Sequence, residues 1–146
     1  MKEKILDEEF VKRAIIKFLS RKGWGTGLEY GGLHDKGVDI KVRHNKYSRY
    51  FLIETKGEGS EKSNSRKSQA ETHFVFGLGQ IITRMNTGGS TRYYYGLGLP
   101  ESSAKIALRR LPWQLAKKLL FHVFSVNHAG NVHQYSWQEL KKMQEK

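Results

Sequence analysis

The sequence predicts a three-layer α/β fold, a central mixed β-sheet flanked by helices, built as one domain over residues 1–146. Three observations predict it. Residues 7–22 carry helical periodicity; residues 37–43 and 50–56 read as paired strands; from residue 69 onwards helical and strand patterns alternate. A chain of 146 residues is the size of one ordinary domain.

The first helix is expected over residues 7–22. Asp7 suits the cap, and Glu8 and Glu9 occupy the first turn, where the helix dipole favours acids. Val11, Ala14, Ile15, Phe18 and Leu19 fall on one face, and Gly23 follows as a stop. Residues 24–34 are glycine-rich, with room for a short strand around residues 28–30. No Walker-type or dinucleotide glycine motif is present there.

In residues 37–43, Val38, Ile40 and Val42 take one face and Asp39, Lys41 and Arg43 the other. A polar run, residues 44–49, makes a hairpin connection to Tyr50. Phe51, Leu52 and Ile53 are apolar in succession, which fits a strand buried on both faces. Alternation along that strand puts Glu54 and Lys56 on one side. Antiparallel pairing would carry Asp39 to the same end. An acid pair and a lysine would then share one edge of the sheet; an ordinary ion pair at a strand end reads the same way.

Residues 57–68 lack apolar side chains altogether, which describes either a solvated linker or a flap whose Lys62, Arg66 and Lys67 meet phosphates. Residues 69–85 read as a helix with Phe74, Leu78, Ile81, Ile82 and Met85 inward; His73, Gly77, Gln80 and Arg84 line another face. Residues 86–91 form a turn. Residues 92–99 form a strand whose three tyrosines fill a core or a sheet edge, stacking on bases being the other option. A helix follows from residue 100, with Ala104, Ala107, Leu108 and Leu111 as its stripe. Pro112 opens the next one, 113–119. Residues 120–126 are a strand, 127–131 a turn and 132–135 a short return. Ser136 and Glu139 match a capping box for the last helix. His128 and His133 are weak candidates for metal ligands.

The motif residues Gly37-Val38-Asp39-Ile40 and Ile53-Glu54-Thr55-Lys56-Gly57 resemble those of the PD-(D/E)XK nuclease superfamily, the restriction-endonuclease-like fold. The run Asp35-Lys36-Gly37-Val38-Asp39 is similar to that of Mrr-like members, and Val38 stands where the family usually has proline. The resemblance implies a magnesium-dependent endonuclease acting on DNA, with manganese able to substitute. Asp39 and Glu54 would hold the metal, with a main-chain oxygen of Thr55 as a further option. Lys56 would position or activate water. Gly79-Gln80-Ile81-Ile82 resembles the family's glutamine motif; Gln80 would assist at the phosphate and Arg84 would contact it. Members often carry a further glutamate on the first helix. Its usual place falls near Lys12, and by helical angle Glu8 is nearer the apolar face than Glu9.

Lys plus Arg number 26 against 14 Asp plus Glu, a net charge of +12, which calls for a polyanionic partner: nucleic acid first, an anionic membrane surface second. The chain has no cysteine, which excludes disulfides, thiolate metal sites and cysteine nucleophiles. No run approaches the ~20 apolar residues of a membrane span, and the start does not read as a signal peptide. The expectation is therefore a cytoplasmic protein that meets no membrane. Site-specific cleavage by so small a chain would need a homodimer. Two other functions stay open: a nucleic-acid-binding module on the same fold that does not cut, and a subunit whose basic surface docks on an acidic protein.

Overall fold

The computed structural model describes residues 6–25, 39–58, 66–85 and 92–145, with the backbone alone for residues 66–69. The elements run α1 (Glu8–Arg21), β1 (Ile40–Arg43), β2 (Arg49–Thr55), α2 (Arg66–Ile82), β3 (Arg92–Pro100), α3 (Glu101–Arg110), α4 (Trp113–Leu119), β4 (Phe121–Val126), β5 (Val132–Tyr135) and α5 (Trp137–Gln144). The five strands form one mixed sheet in chain order. β1 pairs antiparallel with β2, β2–β3 and β3–β4 are parallel, and β4 pairs antiparallel with β5.

Alternation along β2 divides the core in two. Phe51 and Ile53 join Val11, Ile15 and Leu19 of α1 on one face of the sheet. Leu52 joins Phe74 and Ile81 of α2 with Leu97, Leu99 and the α3 apolar stripe on the other. Val11, Ile15 and Leu19 are fully buried, each contributing roughly 1.5–3 kcal/mol. The expected α/β layering is thus present: helices lie against both faces of the sheet.

Three local expectations are corrected. The second helix begins at Arg66 rather than Gln69 and ends at Ile82 rather than Met85. Ile82 is exposed, because the inward stripe is set by Phe74 and Ile81. Ser136 sits at the N-cap of α5 but donates and accepts no capping bond there, since Glu139 instead meets His133 at 2.9 Å. The tyrosines follow the core or sheet-edge reading: Tyr93 stacks on Tyr50 and Tyr95, and Tyr94 meets Phe51 and Trp24. The strand expected at residues 28–30 and the turn at 86–91 lie outside the described residues.

Candidate active site

The antiparallel register pairs Ile40 with Ile53 and Lys41 with Leu52. Continued by one residue, it places Asp39 beside Glu54. Asp39 closes the gap with its carboxylate: Oδ2 accepts the Thr55 backbone N–H at 2.8 Å and the Thr55 hydroxyl at 3.2 Å. Thr55 is completely buried, so this carboxylate satisfies a donor that water cannot reach.

Glu54 lies two residues beyond Leu52 and so faces α2. It is 3% exposed, the one buried charged side chain among the described residues. Its Oε2 accepts from Arg84 Nη1 at 2.8 Å. Burial raises the Glu54 pKa to about 8, helped by a hydrogen bond to Asp39 and by that neighbour's charge; Arg84 and Lys56 pull the other way.

Glu8 arrives from the other face of the sheet, on the first turn of α1. Its carboxyl is also raised by burial, then by the Asp39 charge, and it too hydrogen-bonds Asp39. The start of α1 is pinned there by a reciprocal pair of bonds: Leu6 N–H donates to Glu58 Oε1 at 2.8 Å, and Glu58 N–H donates to the Leu6 carbonyl at 2.7 Å. Gly57 makes the approach possible, since a side chain there would run into the backbone of Asp7 and Glu8.

Lys56 follows Glu54 on the same side. Its backbone N–H donates to the Gly98 carbonyl at 3.0 Å, and its alkyl chain lies across bare Gly77 of α2. His73, Gly77, Gln80 and Arg84 thus form the α2 face that meets the Glu54–Lys56 strand end. His73 Nδ1 and Gln80 Oε1 are both buried and have no hydrogen-bond partner. The His73 pKa is lowered by burial and by Lys56, and opposed by a bond to the Gly57 backbone.

Asp39, Glu54, Lys56, Glu8, Gln80 and Arg84 therefore come together. Lys62 lies outside the described residues, and Arg66 and Lys67 are placed only by backbone, at the start of α2. His128 faces Glu58 at 3.7 Å and His133 pairs with Glu139, so neither belongs to the cluster. Sequence reasoning gave His73 no role; its spacing with Gly77, Gln80 and Arg84 was the available signal. Glu58 had no signal short of knowing where α1 begins, and Gly57, though part of the motif, had none for its packing against that helix.

Three carboxyl groups linked by shared hydrogen bonds need a proton between them or a cation in its place. Oxygen-only donors of this kind suit a hard divalent ion such as magnesium. As they stand, no three acids or histidines among the described residues form a finished metal-binding group. One Glu54 oxygen is held by Arg84 and one Asp39 oxygen by Thr55, so the acids would have to turn toward an ion. The chain was compared with family models, curated proteins and solved structures, and none matched. Among the described residues no helix is long and apolar enough to cross a membrane.

Proposed function

We propose that this protein is a magnesium-dependent nuclease that hydrolyses phosphodiester bonds in DNA, on a restriction-endonuclease-like fold. The observation that carries this reading is the meeting of Asp39, Glu54 and Glu8 with Lys56 at the carboxyl end of a central strand. Magnesium, or manganese in its place, would supply charge neutralisation at the phosphate and a more acidic bound water.

Asp39 and Glu54 would hold the ion, and Glu8 would complete the acidic set. Thr55 orients Asp39 through two donors to Oδ2. Lys56 brings an ammonium to the attacking water or to a phosphate oxygen. Arg84 holds Glu54 through Oε2 and, were a cation to take over that carboxylate, would be a phosphate contact. Gln80, with an unused acceptor, can hold a water. The +12 charge draws the polyanion in.

The test is a cleavage panel with magnesium or manganese on supercoiled, linear, single-stranded and four-way-junction DNA, with RNA alongside. Asp39→Asn, Glu54→Gln and Lys56→Ala should each abolish cutting. Asparagine is preferred to alanine at 39, because alanine would strand the Thr55 amide at about 1–3 kcal/mol. Full activity of purified Glu54→Gln would remove the proposal. The Arg84 hydrogen bond that occupies Glu54 Oε2 favours a second reading, a binding module that does not cut; salt-dependent binding with no metal-dependent cleavage would select it.

A further inference from the structure

Two hollows on the α1 side of the molecule, about 470 and 320 Å³, share Ala14, Lys17, Ala129 and Gly130 and so form one groove. It runs between the exposed side of α1 and the β4–β5 turn. One end reaches Asp7, next to Glu8 of the acidic cluster, and the other reaches Arg21 and Val132.

The α1 wall carries Arg13, Lys17 and Arg21 in a row. Four residues of helix advance about 6 Å, so these cations are spaced much as successive phosphates are along an extended strand. Arg13 is engaged by Glu9 at 3.0 Å, but both side chains are more than half exposed, so the pair is weak. Neither Lys17 nor Arg21 has a carboxylate partner among the described residues.

The opposite wall is rigid and small. Asn127 Oδ1 accepts from the N–H groups of both Ala129 and Asn131, and the Gly130 N–H donates to the Asn127 carbonyl. Gly130 has φ +83°, and its bare α-carbon lies over the Phe10 ring. The N–H groups of Ala129, Gly130 and Asn131 are all engaged within the turn, so the charged contacts fall to the α1 cations, while Ala14, Ala129 and Gly130 leave a floor with little to obstruct a backbone.

We propose that this groove holds one unpaired phosphodiester strand, led along α1 to or from the acidic cluster at Glu8. Hollows of about 470 and 320 Å³ walled by one helix and one turn have room for a few nucleotides of a single strand, not for a seated duplex. The substrate class of the proposed nuclease is then DNA with an unpaired arm beside the scissile phosphate. The direction of the strand rests on the nuclease reading; the binding itself does not.

The test is binding of the whole chain to a fluorescent single-stranded oligonucleotide, a blunt duplex and polyglutamate, in EDTA, across a salt series. The variant is Lys17→Gln/Arg21→Gln, two exposed helix positions that glutamine tolerates. Expected is a loss of about tenfold or more in single-strand affinity, with a salt slope shallower by about 1.4, the release from two phosphates. Blunt-duplex affinity should change less than threefold. Unchanged single-strand affinity overturns the proposal, as does an equal loss for duplex or polyglutamate, which would mean a generally basic face. Magnesium-dependent cutting by the wild type without the strand effect sinks the groove alone. The strand effect without cutting on any substrate sinks the nuclease reading alone.

Discussion

The backbone of Glu8 lies against the bare α-carbon of Gly57, so close that a methyl group there would overlap it. This contact brings the first turn of α1 to the end of β2, and with it the third acid of the cluster. Both neighbours of the missing methyl, Asp7 and Glu8, present main chain, which cannot rotate aside. Gly57→Ala should therefore cost about 1–3 kcal/mol and push Glu8 away from Asp39. Gly79, on the open side of α2 with nothing near its α-carbon, is the contrast. Gly79→Ala should stabilise by about 1 kcal/mol through helix propensity alone. Urea midpoints of the two variants should move in opposite directions, and only Gly57→Ala should lose cleavage.

Glu54 sets the alkaline side of the stability profile. Its folded pKa of about 8 lies above the ordinary 4.5, so between those values the native chain keeps a proton that the unfolded chain has released. Stability should fall as pH rises through that window, by at most about 1.4 kcal/mol per pH unit. Glu8, shifted the same way, adds to the slope. Glu54→Gln should flatten the profile measured in EDTA. Magnesium should flatten it in the wild type, because the ion binds the deprotonated acids and releases their protons. A wild-type profile that stays level from pH 6.5 to 8 in EDTA, above the window in which His122 pulls the other way, would contradict this account.

The acid side belongs to His122. It sits among Phe51 and Tyr94 rings, with Nδ1 at 3.2 Å from Gln134 Nε2. Burial lowers its pKa from 6.5 to about 4, against an opposing pull from Glu139. Here the unfolded chain binds the proton first. The His122 contribution is therefore intact above about pH 6.5 and is lost as pH falls toward 4, opposing the Glu54 slope where the two windows overlap. His122→Phe should make that limb shallower in urea titrations run at successive pH values.

How much of this could be read beforehand depends on the range over which each signal acts. The pairing of Asp39 with Glu54 was legible, because alternation and a short hairpin connection fix register locally. The α2 face was legible too: helical spacing put Gln80 and Arg84 on one side, and that side meets Glu54 and Lys56. The inward assignment of Ile82 failed because periodicity marks a stripe without saying where it stops. The capping box at Ser136 failed because Glu139 had a better partner in His133. Glu8 could be chosen over Glu9 by helical angle, but what anchors it, Glu58 binding the Leu6 amide across 52 residues, has no local trace. The bond between Glu54 and Arg84, 30 residues apart, was likewise invisible: each was read as facing a ligand, and they face each other.

His73 separates function from stability most sharply. Its Nδ1 is buried without a partner, a state that costs roughly 1–3 kcal/mol, and Gln80 Oε1 two turns on shares it. Both atoms lie on the α2 face that covers Lys56. A position that mattered only for packing would favour an apolar side chain. His73→Leu should therefore leave thermal stability unchanged or raise it by a few degrees, even with the Gly57 contact gone. The same variant should lower single-turnover cleavage at saturating enzyme by tenfold or more, because an acceptor beside Lys56 has been removed from the water side of the cluster. His73→Asn, which returns an acceptor near the Nδ1 position, should recover part of that rate, whereas His73→Gln, with its acceptor farther out, should not. Wild-type cleavage by His73→Leu would reduce the residue to an unsatisfied piece of core.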